Sequence, residues 1–123
     1  FIENHDEPRA AHYLGIDKSK AAAILISTLM GMRFYFDGQF NGEKVRLPVQ
    51  LGRKPLEKPN ESLRLFYEKL LNIAKSEIFK YGDWQILRTK PSWETDPTFK
   101  NIISYIWNYN NQYRLVVINY SEK

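Results

Sequence analysis

Between Asn60 and Gly82 apolar residues recur every three or four positions, and beyond Asp83 they alternate. That change of period most constrains the fold, because it demands a helix with one apolar stripe followed by strands with one apolar face. Leu63, Phe66, Tyr67, Leu70, Leu71, Ala74 and Ile78 make the stripe. They predict a helix over residues 61–80, capped by Asn60 and ended by Gly82. Glu61 and Lys80 suit the two ends of its dipole. Strands are expected over 84–89, 102–109 and 112–120, the last two forming a hairpin about Asn110-Asn111, residues that tolerate a left-handed turn. Ile103, Tyr105 and Trp107 share a face of one strand, Leu115 and Val117 a face of the next. Residues 90–100 read as a polar loop with Pro91 and Pro97.

The first half has a different rhythm. Phe1-Ile2 is an apolar start that suits a short buried strand, and 11–16 read as a loop. A helix is predicted over 18–30, with Asp17 or Ser19 as its cap and Gly31 as a left-handed C-cap. Its core face is Ala22, Leu25, Ile26 and Leu29, widened by Ile24 and Met30. Residues 32–37, rich in aromatics, predict a strand, and 38–42 a turn. Strand, helix and strand in that order imply a βαβ unit with parallel strands. Residues 43–59 carry Pro48, Pro55, Pro59 and Gly52 and form a long loop. Arg46, Arg53 and Lys54 there are read as solvated charges rather than contacts for acidic sugar derivatives.

Composition narrows the function classes. The 123 residues are the size of one domain, with the apolar and charged content of a globular protein and no cysteine for a disulfide or thiolate metal site. The net charge of +4 is spread along the chain without a basic cluster, which argues against nucleic acid. No apolar run reaches the roughly 20 residues that span a bilayer, and no signal peptide is seen. A first residue of Phe, inside an apparent strand, leads to the expectation that the chain is a piece of a longer protein. A sheet of two or three strands with one apolar face needs further strands or a partner. The isolated piece is therefore expected to associate with itself.

The polar groups that could do chemistry crowd the beginning. Phe1-Ile2-Glu3-Asn4-His5-Asp6-Glu7-Pro8-Arg9-Ala10 runs from an apolar strand into three acids, a histidine, an asparagine and an arginine. In a parallel barrel such groups stand at the carboxyl ends of strands. This segment closely resembles the F-x-E/D-N-H-D-x-x-R segment of the α-amylase family, glycoside hydrolase family 13. Residues 32–39 resemble the family's eighth barrel strand in Gly31, Tyr35, Gly38 and Gln39. Arg33 stands where proline is usual and Phe40 where an acid is frequent. Residues 102–121 look like the first strands of the β-domain that follows the barrel in many members.

The resemblance implies an α/β plus β architecture: the last strands and helices of a (β/α)8 barrel in residues 1–82, followed in 83–123 by part of an antiparallel β-sandwich domain. It implies that Asp6 is the carboxylate that binds sugar hydroxyls and stabilises the charged transition state, and that His5 hydrogen-bonds the sugar. Asn4 and Arg9 match flanking positions that orient that pair and are grouped with His5 as substrate-binding. Glu3 and Glu7 receive no role. Retaining cleavage needs a nucleophile and an acid roughly 5 Å apart. In the family these follow earlier barrel strands, so the chain alone is expected to be inactive. The implied partners are an α-glucan or oligosaccharide and the remainder of the parent chain, not nucleic acid or a membrane. No cofactor is implied; calcium is known among relatives, but no spacing here defines a site. The alternative is a non-catalytic carbohydrate-binding or assembly module. His12 reads as a surface residue, and Trp84, Trp93 and Trp107 as sheet core rather than sugar platforms.

Overall fold

The structure, a computed structural model, describes residues 1–121. The last two positions of the expected β-domain, Glu122 and Lys123, lie outside them. The elements in order are α1 (Ala10–Tyr13), α2 (Gly15–Thr28), α3 (Glu61–Ala74), α4 (Ile78–Tyr81), β1 (Asp83–Leu87), β2 (Ile102–Tyr109) and β3 (Gln112–Asn119), with single 3-10 turns at Gln39–Asn41 and Thr98–Asn101.

The three strands form one antiparallel sheet in the order β1-β2-β3. Asn110 and Asn111 take positive φ values of 49° and 60°, the backbone that a two-residue hairpin turn requires. The register sets Trp84 opposite Trp107 and Ile103 opposite Ile118, so Tyr105, Trp107 and Ile118 share the face turned to the helices. They are buried there with Ile78 and Phe79 of α4, and Ile24 and Leu25 of α2, with Leu29 just beyond its end, pack against them. Leu115 and Val117 do share a face, but it is the one turned to water. Trp107 is sheet core as expected and Trp84 is half-buried, whereas Trp93 is exposed in the 88–101 loop.

Several predicted elements differ from those observed, some for a local and some for a tertiary reason. Helix α2 begins at Gly15, whose φ of 74° turns the chain out of α1, so residues 11–16 are largely helical rather than a loop. Neither Asp17 nor Ser19 caps it; the Ser19 hydroxyl donates back to the Gly15 carbonyl at 2.6 Å. The helix stops at Thr28, short of Gly31, where the sheet replaces a local cap. The Trp107 indole N–H donates to the Thr28 carbonyl at 2.8 Å, and the Thr28 hydroxyl meets Tyr105 Oη at 2.6 Å. The deepest side chains of α2 are small, Ser19, Ala22, Ala23, Ser27 and Thr28, and Ala23 lies against Leu63, Tyr67 and Leu70 of α3.

Helix α3 starts as predicted, with the Asn60 side chain accepting from the Leu63 amide. It ends at Ala74 and resumes as α4, so the expected single helix over 61–80 is broken. The break is where the Arg33 guanidinium donates to the carbonyls of Ala74 at 2.7 Å and Phe79 at 3.0 Å. Capping carbonyls at two helix ends is work for an arginine fork, and it accounts for a cation at that position.

The parallel strand pair is not formed. Residues 1–4 and 32–36 lie outside any ladder, and every ladder among the described residues is antiparallel. The two segments meet through side chains instead: Phe1 packs edge-on against Phe34 at 6.1 Å. Ile2 and Tyr35 join Ala23, Leu63, Tyr67 and Leu70 in a second core beside α3.

Candidate functional site

The opening segment leaves the core as a tight turn. Asn4 Oδ1 accepts from the amides of both Asp6 and Glu7 at 2.8 Å, an Asx-type turn that a short amide side chain forms readily. The turn projects its next two side chains outward. His5 Nε2 stands 3.2 Å from Asp6 Oδ2, with the side chains 57% and 74% exposed. Together they border a cavity of about 340 Å³ completed by Arg46, Pro48, Val49 and Gln50. A neighbouring cleft of about 80 Å³ runs between His5, Phe36, Asp37, Arg46 and Lys54, with Arg9 and Glu43 also on its wall. The Arg46 side chain reaches the His5 carbonyl at 3.4 Å. An exposed carboxylate beside an imidazole can accept hydrogen bonds from hydroxyls and stabilise positive charge developing above it.

The structure separates the acids of this segment. Glu3 is 1% exposed, so it faces the interior while Asp6 faces solvent, and the two do not form a carboxylate pair. Glu3 Oε2 accepts from the Ala10 amide at 2.6 Å, and Oε1 lies 3.0 Å from Arg9 Nη2 as an ionic contact rather than an aligned hydrogen bond. Burial pushes the Glu3 carboxyl above its ordinary range, against the Ala10 amide and the Arg9 charge, which pull it down. Glu7 is exposed and enters the turn through its amide alone.

Asn4 and Arg9 occupy different places from His5 and Asp6. Asn4 is half-buried and shapes the turn. Arg9 is 4% exposed, and its guanidinium points inward. It donates to the carbonyls of Asp37 at 2.8 Å and Glu43 at 3.4 Å and lies over the Phe36 ring at 5.0 Å. Lys54, expected to be a solvated charge, is instead paired here with Glu43 at 3.0 Å and Asp37 at 3.1 Å, two acids given no role from the sequence. Both hydrogen bonds hold the Lys54 ammonium above its usual range, Glu43 foremost. Charged residues scattered over a proline-rich loop leave no period, so no sequence signal marks that convergence.

A cavity of about 770 Å³ lies at the start of α2 beside Asn119 and Ser121 and holds none of the predicted site residues. Among the described residues no group of three or more His, Asp or Glu side chains is placed to hold a metal ion. Among the described residues no helix is long and apolar enough to cross a membrane.

No protein-family profile matches the chain, and no curated protein does. Among solved structures it is similar to a noncanonic maltogenic α-amylase from Thermotoga neapolitana, with a TM-score of 0.71 and 23% identity over 95% of this chain. The chain thus has the fold of part of an α-amylase, and it spans 27% of that neighbour's length.

Proposed function

We propose that this chain is part of an α-amylase-type glycoside hydrolase or glucan transferase acting on α-glucosidic bonds. Residues 1–82 are the last quarter of its (β/α)8 barrel and 83–123 the start of its C-terminal β-domain. The observation that carries the reading is the Asn4-His5-Asp6 turn, which sets an exposed imidazole–carboxylate pair at a cleft on a chain with this fold. In this reading Asp6 accepts sugar hydroxyls and stabilises the oxocarbenium-like transition state, His5 hydrogen-bonds the ring, and Asn4 holds both in place. The nucleophile and proton donor come from elsewhere in the parent protein.

Asp6→Asn in the parent protein tests this. Turnover of an α-glucan should fall about 10³-fold with the fold intact by circular dichroism, because stabilisation aimed at the transition state acts on rate. A normal rate would remove the role given to Asp6. A non-catalytic carbohydrate-binding module is the second reading, favoured by the exposure of Trp93, Tyr81 and Tyr113. A parent protein lacking the other two carboxylates would decide for it.

A further inference from the structure

We infer that Glu3, Arg9 and Glu43 form a buried positioning clamp, seated in the space left by Gly38, that fixes the His5–Asp6 turn against the 37–43 loop. This rests on the reading of that turn as part of a sugar site. The geometry is that of a closed ring. Glu3 and Arg9 stand at the two feet of the turn, 3.0 Å apart, and Glu3 also accepts from the first amide of α1. His5 and Asp6 stand at its tip. The Arg9 guanidinium then carries the turn onto a segment far along the chain, through the Asp37 carbonyl at 2.8 Å, the Glu43 carbonyl at 3.4 Å and the Glu43 carboxylate at 3.8 Å. Side-chain exposures of 5% for Arg9, 1% for Glu3 and 15% for Glu43 keep the group largely buried, with Arg9 and Glu43 forming part of the wall of the 80 Å³ cleft beside His5. The group acts through the turn.

Gly38 gives independent support. Its φ is 81°, and a Cβ built there would stand 2.3 Å from a Glu43 carboxylate oxygen and 2.6 Å from Arg9 Nη2, closer than such atoms approach. The residue is therefore needed both for its backbone and for the volume the clamp occupies. Buried ion pairs add little net stability, yet removing one partner leaves an uncompensated charge in the interior. A lysine at position 9 would keep the charge but lose the planar fork that spans three segments.

The test uses the parent protein with Arg9→Lys and Gly38→Ala, and with Arg64→Ala as control, since Arg64 makes a comparable but exposed pair with Glu61 and Glu68 on α3. Tryptic cleavage within residues 43–59 is one readout and steady-state kinetics on maltotriose the other. Arg9→Lys and Gly38→Ala should each raise the cleavage rate about tenfold. They should lower kcat about 10- to 100-fold while KM moves less than about threefold, the pattern of displaced rather than lost contacts. Arg64→Ala should leave both unchanged. The neutral pair Glu3→Gln with Arg9→Met guards against simple unfolding: it should fold, resist unfolding as the parent does, and still show the kcat loss. Unchanged cleavage and kcat in Arg9→Lys and Gly38→Ala would overturn the clamp. If the unaltered protein leaves maltotriose intact, the sugar-site reading fails, and the cleavage readout still decides the clamp.

Discussion

Tyr105 and Glu3 are buried to the same depth, at 0% and 1% exposure, by unlike means. Tyr105 sits in a ladder, with Ile86 and Val116 opposite it and α4 beneath. Glu3 is enclosed by an arginine that leans on carbonyls 28 and 34 positions further along the chain. The sheet half is thus an apolar surface repeated by a simple pattern, whereas the site half is irregular backbone held by directional polar contacts. Apolar burial tolerates small displacements because it has no direction. A guanidinium fork does not, and the contrast places precision where a site needs it.

The comparison breaks first, and most severely, at Trp107. Trp107→Ala removes a 3% exposed indole and its bond to Thr28, and should destabilise the fold by about 3–5 kcal/mol in a denaturant titration. A loss under about 1 kcal/mol would mean that the sheet half does not rest on apolar packing. In the site half, Tyr67→Phe deletes a hydroxyl that accepts from Gln39 Nε2 at 2.8 Å and strands a donor that is 3% exposed. The expected cost is about 1–3 kcal/mol in the same titration. Burial pushes the Tyr67 phenol up to about 12, so the comparison can be made at any neutral pH without titrating it. If the change is neutral, polar contacts do not hold this half. The smallest effect is expected at the hairpin, where Asn111 already takes a φ of 60°. Asn111→Gly should stabilise by no more than about 1 kcal/mol, read as a small rise in melting temperature. A clear loss would show that the asparagine side chain, not the backbone, supports the turn.

The same contrast explains what could be read from the sequence. The hairpin over 102–109 and 112–119, the cap at Asn60 and the stripe on α3 are local or periodic, and periodicity reports faces well. The break after Ala74 and the early end of α2 depend on Arg33 and Trp107, which arrive from other parts of the chain. Periodicity also cannot say which of several neighbouring acids turns inward. Apart from the family resemblance nothing in the sequence separates Glu3 from Asp6, and the turn at Asn4 between them sends one to the core and the other to solvent. Trp93 failed differently, because an aromatic residue in a polar loop carries no pattern that marks it as exposed.

Asn4 has one more consequence, for the polarity of what the turn can meet. The backbone amides of Asp6 and Glu7, the groups an anion would need, point at the asparagine's own oxygen. What remains on the outside is the Asp6 carboxylate, an acceptor with no proton to offer when ionised, beside the His5 imidazole and the Arg46 guanidinium. A phosphate would find no nest of amides in the turn itself. A neutral polyol, which brings its own donors, would find a partner.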